Sequence, residues 1–290
     1  MQNTLLCLGF GYTARALVRQ LPLDQWRIIG TTRDAVEVDG AEMLLWPGSS
    51  LPLEQVTHLL VSISPDAQGD PVLAQLREEI AARTNQLKWV GYLSTTAVYG
   101  HRDGAWVDEA SPLAPTSERG RWRVRAEEQW QEVPDLPLHI FRLAGIYGPG
   151  RGPFAKLMAG KARRIIKPGQ VFSRIHVDDI AQVLLASIQR PNPGSIYNLC
   201  DDDPAPPQDV LGYAAELLQL PMPAEVPYDE AGMSPMARSF YSENKRVRNN
   251  RIKSELGVEL LYPTYREGLQ AVLKAEDMEA FVPPAEPPGV

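Results

Sequence analysis

The run Leu5-Leu-Cys-Leu-Gly-Phe-Gly-Tyr-Thr-Ala14 holds the residue types and spacing with the clearest chemical meaning in this chain. An apolar stretch meets Gly9, Gly11 and Ala14, and a helix-like segment with Ala16, Leu17 and Val18 follows. A first glycine permits a tight turn, a second lets a pyrophosphate approach the backbone, and a small third residue lets helix and strand pack closely. The start of such a helix presents unpaired N–H groups and a positive dipole end to phosphate oxygens. Strand, glycine turn and helix in this order predict a dinucleotide site over Gly9, Phe10, Gly11, Tyr12 and Thr13. A plain glycine turn at a strand end is the alternative.

The next apolar run, Trp26-Arg-Ile-Ile-Gly-Thr31, ends without an acidic residue and leads into Thr32 and Arg33. NAD sites usually set Asp or Glu here against the ribose hydroxyls, whereas an Arg suits the 2′-phosphate of NADP. Arg33 therefore predicts NADP ahead of NAD. A solvated turn arginine is the alternative, and Asp34 beside it is able to draw Arg33 aside.

These groups need a scaffold, and short apolar runs alternating with amphipathic segments supply one. Strands are expected at 4–8, 26–31, 42–45, 58–63, 88–94 and 138–143, with helices at 13–21, 71–86 and about 119–132 between them. The predicted fold is α/β: a Rossmann-type doubly wound parallel sheet with a small C-terminal α/β substrate lobe. The first domain is expected over 1–148, its sheet completed by segments near 171–200. A smaller lobe follows over 149–278, with a strand at 195–199 and helices at 177–189, 208–218, 247–256 and 265–274. A Pro-rich tail over 279–290 is expected to be disordered or lightly docked.

A chain of 290 residues with 44% hydrophobic and 22% charged content is long enough for a large core. Its net charge of −7 argues against general nucleic-acid affinity, which needs a basic surface. Two cysteines, Cys7 and Cys200, give no disulfide framework and point to a reducing, cytoplasmic setting. The four histidines show no metal-ligand spacing, so no metal site is expected. The first 21 residues lack the basic start of a secretion signal, and no apolar run approaches the roughly 20 residues of a membrane span.

Further motifs follow in order: Tyr92-Leu-Ser-Thr-Thr-Ala-Val-Tyr-Gly100, Phe141-Arg-Leu-Ala-Gly-Ile-Tyr-Gly-Pro-Gly150 and Arg174-Ile-His-Val-Asp-Asp-Ile180. Tyr197-Asn-Leu-Cys-Asp201, Asn244-Lys-Arg-Val247 and Glu255-Leu-Gly257 complete the series. Nearly end to end, the chain resembles the extended short-chain dehydrogenase/reductase family, in its branch of nucleotide-sugar epimerases and dehydratases. The resemblance implies that Thr95, three residues before Val98, donates to the reacting oxygen. It also implies that Ser62, Ile63 and Ser64 run beside the cofactor phosphates and ribose, and that Leu143, Ala144 and Gly145 pass near the nicotinamide. His176, Asp178 and Asp179 match a motif that mostly fixes the chain where lobes meet. Family enzymes often dimerise through the helices that here include 71–86 and 119–132, so a homodimer is one arrangement the resemblance allows.

At one place the sequence departs from the family. Members carry Tyr-Gly-x-x-Lys where this chain reads Arg119-Gly-Arg-Trp-Arg123, which aligns Arg119 with the acid/base Tyr and Arg123 with the ribose-holding Lys. Arginine cannot be deprotonated in a protein and accepts no hydrogen bond, so Arg119 cannot shuttle a proton. Arg123 still suits a ribose hydroxyl. The chain thus resembles the atypical subgroup. Tyr99 and Tyr147 are candidates for the missing phenol, with packing or stacking as the plainer role.

Arg119, Arg121, Arg123 and Arg125 crowd the opening turns of this helix, against its dipole, with Thr116 or Ser117 as cap and Glu118 as a partial offset. One reading is a solvated basic face with Arg123 paired to Glu127. The sharper reading is capture of an anionic ligand, with Arg142, Lys161, Arg163, Arg164 and Arg174 extending the basic lining. The expected function is hydride transfer between nicotinamide and a small polar, anionic carbonyl or alcohol. The alternative is a non-catalytic NADP-binding regulatory or redox-sensing protein.

Overall fold

The computed structural model describes residues 2–276, and the expected tail over 279–290 lies outside them. In chain order the strands are β1 (Asn3–Leu8), β2 (Trp26–Thr32), β3 (Glu42–Leu45), β4 (His58–Val61), β5 (Trp89–Thr95), β6 (Trp106–Val107) and β7 (Leu138–Leu143). They continue as β8 (Gly145–Tyr147), β9 (Arg164–Ile166), β10 (Arg174–His176), β11 (Ile196–Leu199), β12 (Glu225–Pro227) and β13 (Arg246–Val247). Helices α1 (Tyr12–Val18), α2 (Leu73–Ala81) and α3 (Glu118–Gln131) alternate with the early strands. After them come α4 (Phe154–Met158), α5 (Val177–Gln189), α6 (Pro207–Leu217), α7 (Pro235–Tyr241), α8 (Asn250–Leu256) and α9 (Tyr265–Ala275).

Seven strands form one sheet in the order β11-β7-β5-β4-β1-β2-β3, every neighbouring pair parallel. Alternate residues of each strand enter different cores, which is why the strands read as continuous apolar runs. Leu5, Cys7, Trp89 and Phe141 pack with α1, α5 and α8, whereas Leu6, Leu8, Val90 and Tyr92 pack with α2 and α3. This is the predicted Rossmann-type, doubly wound sheet. The chain winds from β1 to β3 in one direction and returns to β4 on the other side of β1. That reversal opens a crevice at the carboxyl ends of β1 and β4, where such sheets bind ligands.

A third apolar cluster, around Phe154, Leu157, Val210, Ala214, Tyr265 and Leu269, joins α4, α6 and α9. The short parallel pairs β8–β10 and β6–β13 tie the later chain to segments that follow the sheet strands, and β9–β12 pairs within the later chain itself.

Several boundaries differ from expectation for local reasons. β4 ends at Val61, so residues 62–64 lie in the loop after it. The helix expected from 71 starts at Leu73, because the Asp70 carboxylate accepts from the amides of Val72 and Leu73. Residues 246–247 pair with β6 as a strand, which delays the next helix to Asn250. α1 stops at Val18, three residues early.

Candidate active site

The glycine turn is built from both sides of the crevice. Gly9 has φ +89°, and a Cβ there would lie 2.8 Å from Ser62 Oγ and 3.3 Å from the Ile63 nitrogen. Its N–H donates to Thr31 Oγ1 at 2.9 Å, and Ser62 Oγ donates to its carbonyl. Phe10 turns inward. Its amide donates to the Thr31 carbonyl at 2.8 Å, and a Cβ on Gly30 would meet its ring at 2.6 Å. Gly11 is the opposite case: it is exposed, and a Cβ there would meet nothing within 4 Å. Gly11 leads α1 without a side-chain cap, and the first amides of a helix have no intrahelical acceptor. Tyr12 donates its hydroxyl to the Pro149 carbonyl at 2.9 Å, and Thr13 is buried. Closed packing under Gly9 and open space over Gly11 fit a dinucleotide diphosphate.

Along the rest of that edge the candidate residues separate by role. Arg33 is exposed just past β2, with no hydrogen bond among the described residues. Arg123, half-buried on α3, donates through Nη1 to Tyr92 Oη at 2.9 Å and the Leu93 carbonyl at 2.7 Å, and through Nη2 to Ser64 Oγ at 3.2 Å. It ties the loop after β4 to β5. Thr95 ends β5, and its Oγ1 accepts the Ala97 amide at 3.2 Å. That bond leaves the threonine hydroxyl proton to point elsewhere. Leu143 and Ala144 are buried at the end of β7, and Gly145 is exposed beside them. Arg119 is exposed and has no hydrogen bond among the described residues, while Ser117 caps α3 by accepting the Gly120 amide at 3.2 Å.

Below Thr95 lies a buried polar network that corrects the expected Arg123–Glu127 pair. Glu127 is 2% and Arg142 3% exposed, and they form a two-pronged ion pair at 2.7 and 3.2 Å. Ser94 Oγ donates to the same carboxylate. Arg142 Nη1 reaches Tyr99 Oη at 3.0 Å, and that hydroxyl donates to Asn198 Oδ1 at 2.7 Å. Arg142 therefore does not extend a ligand lining, and Tyr99 is a buried packing residue within a 3-10 turn (Thr96–Tyr99). Burial pushes the Tyr99 pKa up, against the opposing pull of Arg142 and Asn198, further from any proton-shuttling range.

A cavity of about 540 Å³ opens between α4, α6, α7 and α9. Lys156, Lys161, Arg163 and Arg174 line it with Tyr147, Tyr241 and Tyr265, and its lining includes no Asp or Glu. Of the expected basic lining, Lys161, Arg163 and Arg174 face this space. Arg164 turns away to pair with Glu225 at 2.9 Å. Arg174 joins the cavity to the sheet edge: it is registered beside Gly145, whose built Cβ would lie 3.8 Å from Arg174 Cγ. Tyr147 is buried, and its hydroxyl has no partner among the described residues. His176 caps α5, its Nδ1 accepting the Asp178 amide at 3.2 Å. The Asp179 carboxylate accepts from the amides of Leu261 and Tyr262 at 2.6 and 3.2 Å, fixing the chain that leads into α9.

Residues 74–200 match the model of the NAD dependent epimerase/dehydratase family. A functionally unknown conserved protein from Silicibacter pomeroyi DSS is 66% identical, over 94% of this chain and 99% of that one, with a TM-score of 0.92. This chain carries an NAD dependent epimerase/dehydratase domain over residues 74–200. Protein YeeZ of Escherichia coli (strain K12) is 28% identical over 276 residues, 88% of this chain and 95% of its own. Human epimerase family protein SDR39U1, solved with NADPH, shares the fold at a TM-score of 0.75 and 16% identity, over 94% of this chain and 99% of its own.

Two features of this site escaped the sequence. The Glu127–Arg142 pair was signalled only by an arginine inside the apolar run of β7. The cavity combines residues from β8, β10, α4, α6, α7 and α9, and only the fold gathers segments so far apart.

Proposed function

We propose that this chain binds NADP(H), in preference to NAD(H), across the carboxyl edge of its sheet and acts as an oxidoreductase. Its substrate is a small polar, anionic carbonyl or alcohol held in the cavity beside Arg174. The observation that carries the reading is that the cavity's charged lining is entirely cationic in a chain of net charge −7. Arginine forks suit carboxylate or phosphate groups. The exposed, unbonded Arg33 supports NADP, since a 2′-phosphate needs such a partner.

A bound dinucleotide supplies the hydride acceptor or donor, and the chain's own residues do the rest. Gly9 shapes the turn and Gly11 leaves room for the diphosphate. Ser62, Ile63, Ser64 and Arg123 border its ribose and phosphates, and Leu143, Ala144 and Gly145 border the ring. Thr95, with its oxygen already accepting the Ala97 amide, turns its hydroxyl proton to the reacting oxygen and orients it. Arg119 supplies fixed positive charge instead of a proton, and solvent water supplies the proton. Cys7 and Cys200 are both buried and unpaired, which supports a reducing, cytoplasmic setting.

NADPH oxidation, followed by absorbance against a panel of carbonyl acids, tests this reading. Turnover with at least one acid is expected. NADPH affinity without turnover across the panel would favour a non-catalytic, redox-responsive binder, a second reading that the arginines at 119 and 123 support. Arg119→Tyr combined with Arg123→Lys separates the two: activity gained on restoring the family's pair means that only the acid/base had been lost.

A further inference from the structure

We infer that the cavity selects a carboxylate with an apolar ring or branched body, and rejects nucleotide sugars. The inference rests on the reading of this cavity as the substrate site, and it comes from what lines the cavity and what does not.

Each sugar hydroxyl has a proton to donate as well as lone pairs to accept, so a sugar site needs several side-chain acceptors beside its donors. The lining holds no Asp, Glu, Asn or Gln; its neutral polar side chains are Ser234 and the three tyrosines. The walls are apolar instead. Val210 and Leu269 are buried members of the third core cluster, and Leu211 is packed against it. A flat or branched hydrocarbon body gains by displacing water from such walls, whereas a hydroxylated sugar loses hydrogen bonds there.

The anion's place is more specific than a basic rim. Lys156, Lys161 and Arg163 are exposed at the mouth, but Arg174 lies deeper, among Tyr147, Tyr241 and Tyr265. Arg174 Nη1 is held by the carbonyls of Phe172 and Ala205 at 2.9 and 3.1 Å. Among the described residues the remaining guanidinium N–H groups have no hydrogen-bond partner; the buried Asp201 carboxyl lies near Arg174 and Tyr147 without bonding either side chain, and burial pushes its pKa well up, toward the neutral form. Tyr147 adds an unpartnered hydroxyl on a residue only 7% exposed. A glycine at 268 makes room for it, since a Cβ there would sit 1.9 Å from the Tyr147 oxygen. One fixed guanidinium edge and one unpaired phenol match the two oxygens of a carboxylate. Because Arg174 is registered beside Gly145, that carboxylate sits close to the reacting carbon.

Four probes test this by isothermal titration into the chain saturated with NADPH: phenylpyruvate, phenylacetone, pyruvate and UDP-glucose. Phenylacetone replaces the carboxylate by a methyl group and pyruvate lacks the ring, so each removes one half of the match. Phenylpyruvate is expected to bind at least about tenfold more tightly than any of the other three. Arg174→Met is expected to weaken phenylpyruvate about tenfold to a hundredfold with NADPH affinity unchanged. Leu211→Glu, a second variant at the half-exposed wall, is expected to repel the acid without touching the guanidinium. UDP-glucose binding as tightly as phenylpyruvate, phenylacetone binding equally well, or no probe binding to a chain that still takes up NADPH would each overturn the inference. Absence of NADPH binding itself would instead overturn the underlying reading.

Discussion

In the proposed function Arg119, permanently charged, stands where the resemblance puts a phenol, and orientation of the reacting oxygen falls to Thr95. Thr95→Val keeps the shape and removes the hydroxyl, so turnover is expected to fall about a hundredfold to a thousandfold with NADPH affinity unchanged. Steady-state kinetics beside a binding titration checks the split. Arg142 matters for a different reason. Removing one partner of a buried pair strands the other charge, so Arg142→Leu is expected to cost about 3–5 kcal/mol in urea unfolding. Where motif order fixed a position, the fold follows it: Thr95 ends β5 and the glycine turn lies between β1 and α1. Helical spacing offered a false partner in one of two readings: Glu127 lies four residues from Arg123 but bonds Arg142 on β7. An arginine at 142 with Phe141 and Leu143 on either side could only be buried, and a buried arginine demands an acid.

At the scale of elements, strands β3 and β7 and helix α5 lie where the hydrophobic pattern sets them; β7 is a buried parallel strand, short, apolar and bounded by turn residues, whereas β3 is the exposed edge of the sheet. The short pairs β6–β13, β8–β10 and β9–β12 gave no such signal: at two or three residues each, long-range pairing alone creates them. The glycine turn offers the cleanest contrast between folding and binding. Gly11→Val adds a side chain where a Cβ meets nothing within 4 Å and φ is ordinary, so the variant is expected to fold normally and lose NADPH. Gly9→Val meets Ser62 and Ile63 at a φ of +89°, so it is expected to lower the melting temperature as well. Thermal unfolding of both variants, with and without NADPH, reads the difference.

For the whole molecule, buried titratable groups set the response to acid. Burial lowers the pKa of His58 and of His139 from 6.5 to about 4. The stability this represents is fully present above pH 6.5, is lost as pH falls toward 4, and amounts to about 3 kcal/mol for each histidine. Burial raises Asp179 to about 6 from 3.8, and its contribution runs the other way: present below pH 3.8, lost as pH rises through 6. His176 is lowered to about 4 in the same way, while the raised carboxyls of Asp70, Glu109 and Asp201 act in the direction of Asp179. His139→Gln isolates one histidine: relative to the parent chain, its urea midpoint is expected to improve as pH falls from 6.5 to 4. No helix among the described residues is long and apolar enough to cross a membrane, and none of their His, Cys, Asp or Glu side chains cluster to hold a metal ion.

The account stands on a pyridine nucleotide lying over Gly11 with its adenosine end beside Arg33, and calorimetric titration of the purified chain with NADPH and then NADH examines that directly. Saturable heat with NADPH at one site per chain is predicted, with NADH at least about tenfold weaker for want of the phosphate that Arg33 would meet. A flat titration with both nucleotides would contradict it.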